Sequence, residues 1–237
     1  ELHRTIRGIA NDLRGSVDGW DFKQYALGML FYRYISENFA NYINDGEREA
    51  GDATFDYAQL SDSDAEQARD DLIKTKGFFI LPSQLFCSVR SRAPLDENLN
   101  ETLEAVFQAV EDSAKGSDSE ANFSGLFDDI DVNSNKLGGA VAERNKRLVK
   151  LMNGVGDMKL GGDNTIDAFG DAYEYLMGMY ASNAGKSGGE YFTPQEVSEL
   201  LTRIAVAGTT EVNKVYEIII QTLIQGVGKI KMCTVAV

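Results

Sequence analysis

Gly188-Gly189-Glu190-Tyr191-Phe192-Thr193-Pro194 reads as a glycine hinge opening directly into a strongly specified helix. Ala184 to Gly189 is small and glycine-rich, which permits positive φ and close approach of backbone to a ligand. Thr193 stands where an N-cap belongs, Pro194 at the first helical position and Glu196 at the third, completing a capping box. Val197, Leu200, Leu201, Ile204 and Ala205 recur at helical spacing and are expected to form this helix's buried face.

Upstream of the hinge the pattern is helical almost throughout. Phe22, Tyr25, Met29 and Tyr32 form a stripe from Trp20 to Ile43, broadened by Ala26, Leu30, Tyr34 and Ile35 until the helix is apolar on most sides and belongs at the centre of a core. Asp18 can cap it, and Asp21 favours the positive helix start. Its aromatics lie among few Lys and Arg, unlike a base-stacking platform. Residues 44 to 64, acidic with Gly46 and Gly51, are expected to be a surface loop. Asp64 to Thr75 reads as a short solvated helix, Lys76 to Leu81 as an extended apolar run, and Pro82 as the first turn of another short helix.

Leu99, Leu103, Val106 and Val110 define one face of a helix from about Asp96 to Lys115, closed by Gly116. Leu137, Val141, Leu148 and Leu151 mark a further helix, on which Glu143, Arg144, Lys146, Arg147 and Lys150 are expected to be mostly a solvated face; a phosphate-contacting role is the alternative. Gly154 to Gly162 is expected to be the internal boundary. Ile166, Phe169, Tyr173, Leu176, Met177 and Tyr180 restore a helical stripe beyond it.

Composition bounds the chemistry. The 237 residues are 43% hydrophobic and 25% charged with three prolines, the make-up of a folded, helix-rich chain. A net charge of -14 repels polyanions, so the chain alone is expected to bind DNA poorly. From residue 212 onward the charge is instead about +2 by residue count, a change of character in the tail. Cys87 and Cys233 lie far apart, and with the single His3 they supply neither a disulfide framework nor a zinc set; reduced thiols and a cytoplasmic location are expected, with no metal. No spanning segment appears, since Val215 to Ile224 is too short and carries Glu217 and Gln221; no membrane partner is expected. The start at Glu1 is read as a natural N-terminus lying further upstream.

Two glycine-rich stretches fail as nucleotide motifs. Gly185-Lys186-Ser187 has Tyr180 where a phosphate loop needs its first glycine, and Gly226-Val227-Gly228 has Lys231 at the third glycine position of the dinucleotide fingerprint.

Read together with Asp167-Ala168-Phe169-Gly170-Asp171-Ala172-Tyr173-Glu174-Tyr175-Leu176, the hinge resembles the modification (methylase) subunit of type I restriction-modification systems. Leu13-Arg14-Gly15-Ser16-Val17-Asp18-Gly19-Trp20-Asp21-Phe22, Tyr25 to Asn38 and Lys76-Gly77-Phe78-Phe79 are similar to that subunit's N-terminal helical region. The resemblance spans roughly residues 1 to 216. It implies an adenine-specific DNA methyltransferase that moves a methyl group from S-adenosylmethionine to adenine N6. It also implies a specificity subunit, a second methylase subunit and a restriction subunit as partners, with DNA reached through that complex.

The resemblance puts Gly189, Tyr191, Phe192, Thr193 and Pro194 at the border of the cofactor pocket, where a helix start and its cap offer N–H groups and a hydroxyl. Val212-Asn213-Lys214-Val215-Tyr216 is similar to the first strand of the methyltransferase sheet. The family's acidic-Pro-glycine turn is replaced here by Glu217-Ile218-Ile219-Ile220. No Asn-Pro-Pro-aromatic loop follows, because Pro82, Pro94 and Pro194 are the only prolines.

The expectation is a mainly α chain. Residues 1-155 form an N-terminal helical bundle domain, 156-216 the truncated start of a Rossmann-like α/β methyltransferase domain, and 217-237 an atypical tail, shifted in frame or otherwise foreign. No catalytic residue is assigned within it. The alternative is a noncatalytic assembly or regulatory module that binds the specificity subunit.

Overall fold

Tyr25, Met29, Tyr32, Ser36 and Phe39 fall four and three residues apart, and in the computed structural model all five are buried on one long helix, α1 (Gly19–Glu49). The structure describes residues 19–158 and the isolated positions 170, 175, 200, 203 and 204. Six further α-helices follow among the described residues: α2 (Asp62–Ala65), α3 (Arg69–Lys76), α4 (Phe86–Arg92), α5 (Leu99–Ser113), α6 (Glu120–Phe123) and α7 (Val141–Gly156). No strand occurs among the described residues. Of the expected Rossmann-like start at 156–216 only 156–158 and those isolated positions are described, and the hinge at 188–194 and the tail lie outside the described residues.

Aromatic packing explains why α1 is central. The Tyr32 ring meets Phe86 of α4 and Phe107 of α5 edge-on, each at 5.5 Å between centroids. Phe107 in turn stacks on Phe127 at 4.3 Å. One turn pair further along α1, Phe39 contacts Tyr57, Phe78 and Phe79. Such ring pairs add to stability beyond the area they bury. The two deepest phenols are satisfied by backbone: Tyr32 Oη donates to Gln84 O at 2.5 Å and Tyr57 Oη donates to Ile80 O at 2.8 Å.

The extended run, expected from Lys76, begins at Phe78, because Lys76 is still helical and α3 is capped by Gly77 with φ 81°, a left-handed conformation that favours glycine. Phe78, Phe79 and Ile80 then enter the core, and Phe79 N–H donates to Ser113 Oγ at 2.9 Å. Pro82 opens a short 3-10 turn (Pro82–Gln84). Leu99, Leu103, Val106 and Val110 are buried along α5 as their spacing requires.

Several expectations are corrected. Residues 44–49 continue α1 instead of starting a loop, because the buried Asn44 side chain accepts the Tyr57 N–H at 2.8 Å and ties the following segment back onto the helix. The single solvated helix at 64–75 is broken into α2, a 3-10 turn (Glu66–Ala68) and α3. Leu137 belongs to a separate 3-10 turn (Asn135–Leu137), and Val141 at the first turn of α7 is exposed; the buried face begins at Asn145. The glycine break at 154 starts later, since Gly154 and Gly156 remain helical and Val155 and Met158 are buried.

The chain divides into two compact units, Glu1–Gly188 and Gly189–Val237. In the first, Tyr175 is helical and half-buried against the core. In the second, Leu200, Arg203 and Ile204 are helical. Leu200 and Ile204, expected to be buried, are 57% and 63% exposed. Helical periodicity gives the side of the helix, but burial also needs a covering layer, and these two side chains face solvent.

Candidate functional site

A charge inside an apolar stripe must find partners, and Arg33 sits between the aromatics of α1. Its Nη1 donates to Val155 O at 2.7 Å and Met158 O at 2.8 Å, and its Nε donates to Glu37 Oε1 at 2.6 Å. Those carbonyls belong to the C-terminal end of α7, where a helix leaves acceptors unpaired and the dipole favours a cation. Arg90 of α4 reaches the same end: Nε donates to Asn153 Oδ1 at 3.1 Å and Nη2 to Asp157 Oδ1 at 2.5 Å. The guanidinium lies so close to Gly156 that a Cβ there would fall 2.2 Å from its Nη1.

These groups wall an open cleft of about 450 Å³ between α1, α4 and α7, also lined by Phe86, the exposed Cys87 and Pro94. Its cations are engaged by α7 carbonyls and by Asn153 and Asp157. The cleft therefore works as a clamp on the end of α7, and the carboxylate on its wall, Glu37, is engaged by Arg33. The buried phenols offer no base either. Burial pushes Tyr32 well above the usual phenol range against the opposing Arg92 charge, and Tyr57 is raised by burial and then by Asp62 and Glu66. Among the described residues no group of His, Cys, Asp and Glu could hold a metal ion.

The basic cluster of α7 divides in two. Arg144 Nη1 donates to Gly138 O at 3.1 Å, and Arg147 Nη1 donates to Leu137 O, so both arginines hold the 3-10 turn before the helix. Lys146 and Lys150 stay exposed. The solvated-face expectation thus holds for the lysines and fails for the arginines, which are half-buried and whose heads bond the carbonyls of a turn. The roles of Arg33 and Arg90 were missed; the signal for Arg33 was a cation embedded in an aromatic run.

Gly189, Tyr191, Phe192, Thr193 and Pro194, the expected cofactor-border residues, lie outside the described residues. The described part defines a class: a helical module packed around aromatic residues, with its arginines committed to capping and clamping. The chain belongs to the family described as HsdM N-terminal domain, which it matches over residues 2–155, and residues 164–222 match the family described as N-6 DNA Methylase.

The chain is 46% identical over 225 residues to the methylase subunit of the type I restriction enzyme MpnII of Mycoplasma pneumoniae, covering 91% of this chain and 41% of that protein. It is 20% identical over 210 residues to the MjaIX methylase subunit of Methanocaldococcus jannaschii, covering 86% of this chain and 35% of that one. Among solved structures, the methyltransferase subunit of a type I restriction-modification system from Streptococcus thermophilus superposes with a TM-score of 0.70 at 28% identity, over 88% of this chain and 44% of that chain. The chain thus spans about two-fifths of the length of the curated relatives it matches. No described helix is long and apolar enough to cross a membrane.

Proposed function

We propose that these residues are the helical N-terminal domain and the cofactor-side entrance of a type I methylase subunit, whose whole protein transfers a methyl group from S-adenosylmethionine to adenine N6 in DNA. The observation that carries the reading is the order of the two family matches, HsdM N-terminal domain over 2–155 and N-6 DNA Methylase over 164–222, on one chain. The domain limits we propose are 1-155 for the helical bundle, 156-216 for the start of the methyltransferase domain and 217-237 for the tail.

In this reading Gly189 lets the backbone approach the cofactor. Thr193 and Pro194 set a helix start whose N–H groups face its amino-acid end, and Tyr191 and Phe192 wall the pocket. The helical bundle joins the specificity subunit, the second methylase subunit and the restriction subunit, and the assembly works in the cytoplasm. The 237 residues contain no Asn-Pro-Pro-aromatic loop to hold a flipped adenine, so by themselves they transfer no methyl group.

The aromatic core built largely from 19–158 supports a second reading, an assembly or regulatory module that acts without chemistry by binding the specificity subunit. Calorimetric titration with S-adenosylmethionine tests the first. The whole protein is expected to bind one cofactor per chain, weakened at least about tenfold by Phe192→Ala, and the 237 residues none. Unchanged affinity in Phe192→Ala overturns the site assignment, and a whole protein that binds no cofactor leaves the second reading.

A further inference from the structure

Helix α7 ends where the two family matches meet, the first closing at residue 155 and the second opening at 164. Its last turn holds Gly154 and Gly156, and glycine is among the poorest helix formers. Gly161 and Gly162 follow, and they impose no backbone direction of their own. The sequence supplies little stiffness at this border; the structure supplies contacts.

Those contacts come from two other helices. Arg33 of α1 donates to Val155 O and Met158 O, and Arg90 of α4 bridges Asn153 Oδ1 and Asp157 Oδ1, one turn apart. Arg90 stands on a rigid base, because Phe86 and Val89 of the same helix are buried in the core. Its pair with Asp157 adds little to global stability, since that carboxylate is 67% exposed. A planar fork holding two partners one turn apart instead fixes orientation. We propose that Arg90 is a positioning residue for methyl transfer: by stapling the last turn of α7, it sets the direction in which the chain leaves the helical domain toward the residues matched as methylase. The role rests on the methylase reading. Arg90 acts through Asn153 and Asp157, with no contact to cofactor or DNA required.

The test is steady-state methyl transfer by the whole protein in complex with its proposed specificity subunit. A remote misplacement of about 1 Å can cost about 10²-fold, and because Arg33 still holds the turn in Arg90→Met, kcat should fall there by less, about tenfold. KM and Kd for S-adenosylmethionine should stay within about twofold, since the pocket is untouched. Arg90→Lys keeps the charge but not the fork and should recover part of the lost kcat. Arg48→Met, which removes an exposed pair with Asp45 on α1, should leave kcat unchanged.

Gly156→Ala reaches the same grip from the other side. Its Cβ would stand 2.2 Å from Arg90 Nη1, at the flexible end of that side chain, so the guanidinium moves aside while alanine favours the helix. Here too kcat should fall, and in an Arg90→Met background Gly156→Ala should cost nothing more. In the 237-residue chain, exchange of the Asp157 and Met158 amides, which donate to Asn153 O and Val155 O, should quicken about tenfold in Arg90→Met while the Leu103 amide keeps its rate. Unchanged kcat or unchanged exchange in Arg90→Met overturns the proposal. So does a joint fall of kcat, cofactor affinity and unfolding midpoint, because a merely structural role then explains it. A wild-type complex that transfers no methyl group overturns the methylase reading instead, and the proposal falls with it.

Discussion

Replacing Arg33 by methionine keeps the apolar stem against the aromatic core and removes the guanidinium that caps α7. Two carbonyls, Val155 O and Met158 O, then lose a charged donor in a region where both residues are buried; Val155 O keeps the Met158 N–H at 3.2 Å, and Met158 O loses its charged partner outright. A hydrogen bond to a charged group contributes about 1.5–3 kcal/mol, and an unmatched buried acceptor costs about 1–3 kcal/mol. Because both bonds leave the same nitrogen they do not add fully, and we expect a loss of about 3 kcal/mol. The pair with Glu37 contributes little, about 0.3–0.5 kcal/mol, since that carboxylate is 45% exposed.

Urea unfolding measures the difference. With a slope of about 2 kcal/mol per molar, the midpoint should fall by about 1.5 M. Glu37→Gln serves as control and should shift it by less than about 0.3 M. If Arg33→Met costs under about 1 kcal/mol, or no more than Glu37→Gln, the clamp does not hold the end of α7 and the reasoning fails.

Three further outcomes follow from the same structure. Gly77→Ala forces a side chain into the left-handed region and places its Cβ 1.9 Å from Ser119 Oγ, so thermal unfolding should show a loss of about 1–3 kcal/mol. Leu103→Ala empties a fully buried site on α5 and should cost about 2–5 kcal/mol in the same denaturant assay. Tyr32 and Tyr57 are raised above the ordinary phenol value by burial, so the folded state holds their protons longer than the unfolded chain does. Their contribution is fully present below about pH 10 and is lost as pH rises above it, by about 1.4 kcal/mol per pH unit for each phenol. Unfolding followed from pH 8 to 12 should show that decline, which Tyr57→Phe should make shallower.

The central helix was legible because Tyr25, Met29, Tyr32 and Phe39 repeat at a spacing that no strand would tolerate, and α5 because Leu99, Leu103, Val106 and Val110 do the same. The extension of α1 to Glu49 was not, since it depends on Asn44 accepting a hydrogen bond from Tyr57 thirteen residues away. Charge patterning misjudged Arg144 and Arg147 for a related reason: whether a helix-surface arginine faces water or turns back to a carbonyl depends on the preceding turn. Leu200 and Ile204 show the limit of periodicity, which locates an apolar face but does not supply the layer that covers it. The candidate cofactor border at 189–194 came from local chemistry and family likeness, with no contact in the described residues to weigh it against.

The most direct test of the methylase reading is the chemistry of its product. The whole protein that contains these residues should be purified in complex with the specificity subunit proposed as its partner, incubated with duplex DNA and isotopically labelled S-adenosylmethionine, and the digested nucleosides analysed by mass spectrometry. The account predicts label in N6-methyladenine, reduced when Phe192 is changed to alanine. Label in a cytosine product, or none in DNA from a correctly assembled complex, would contradict it.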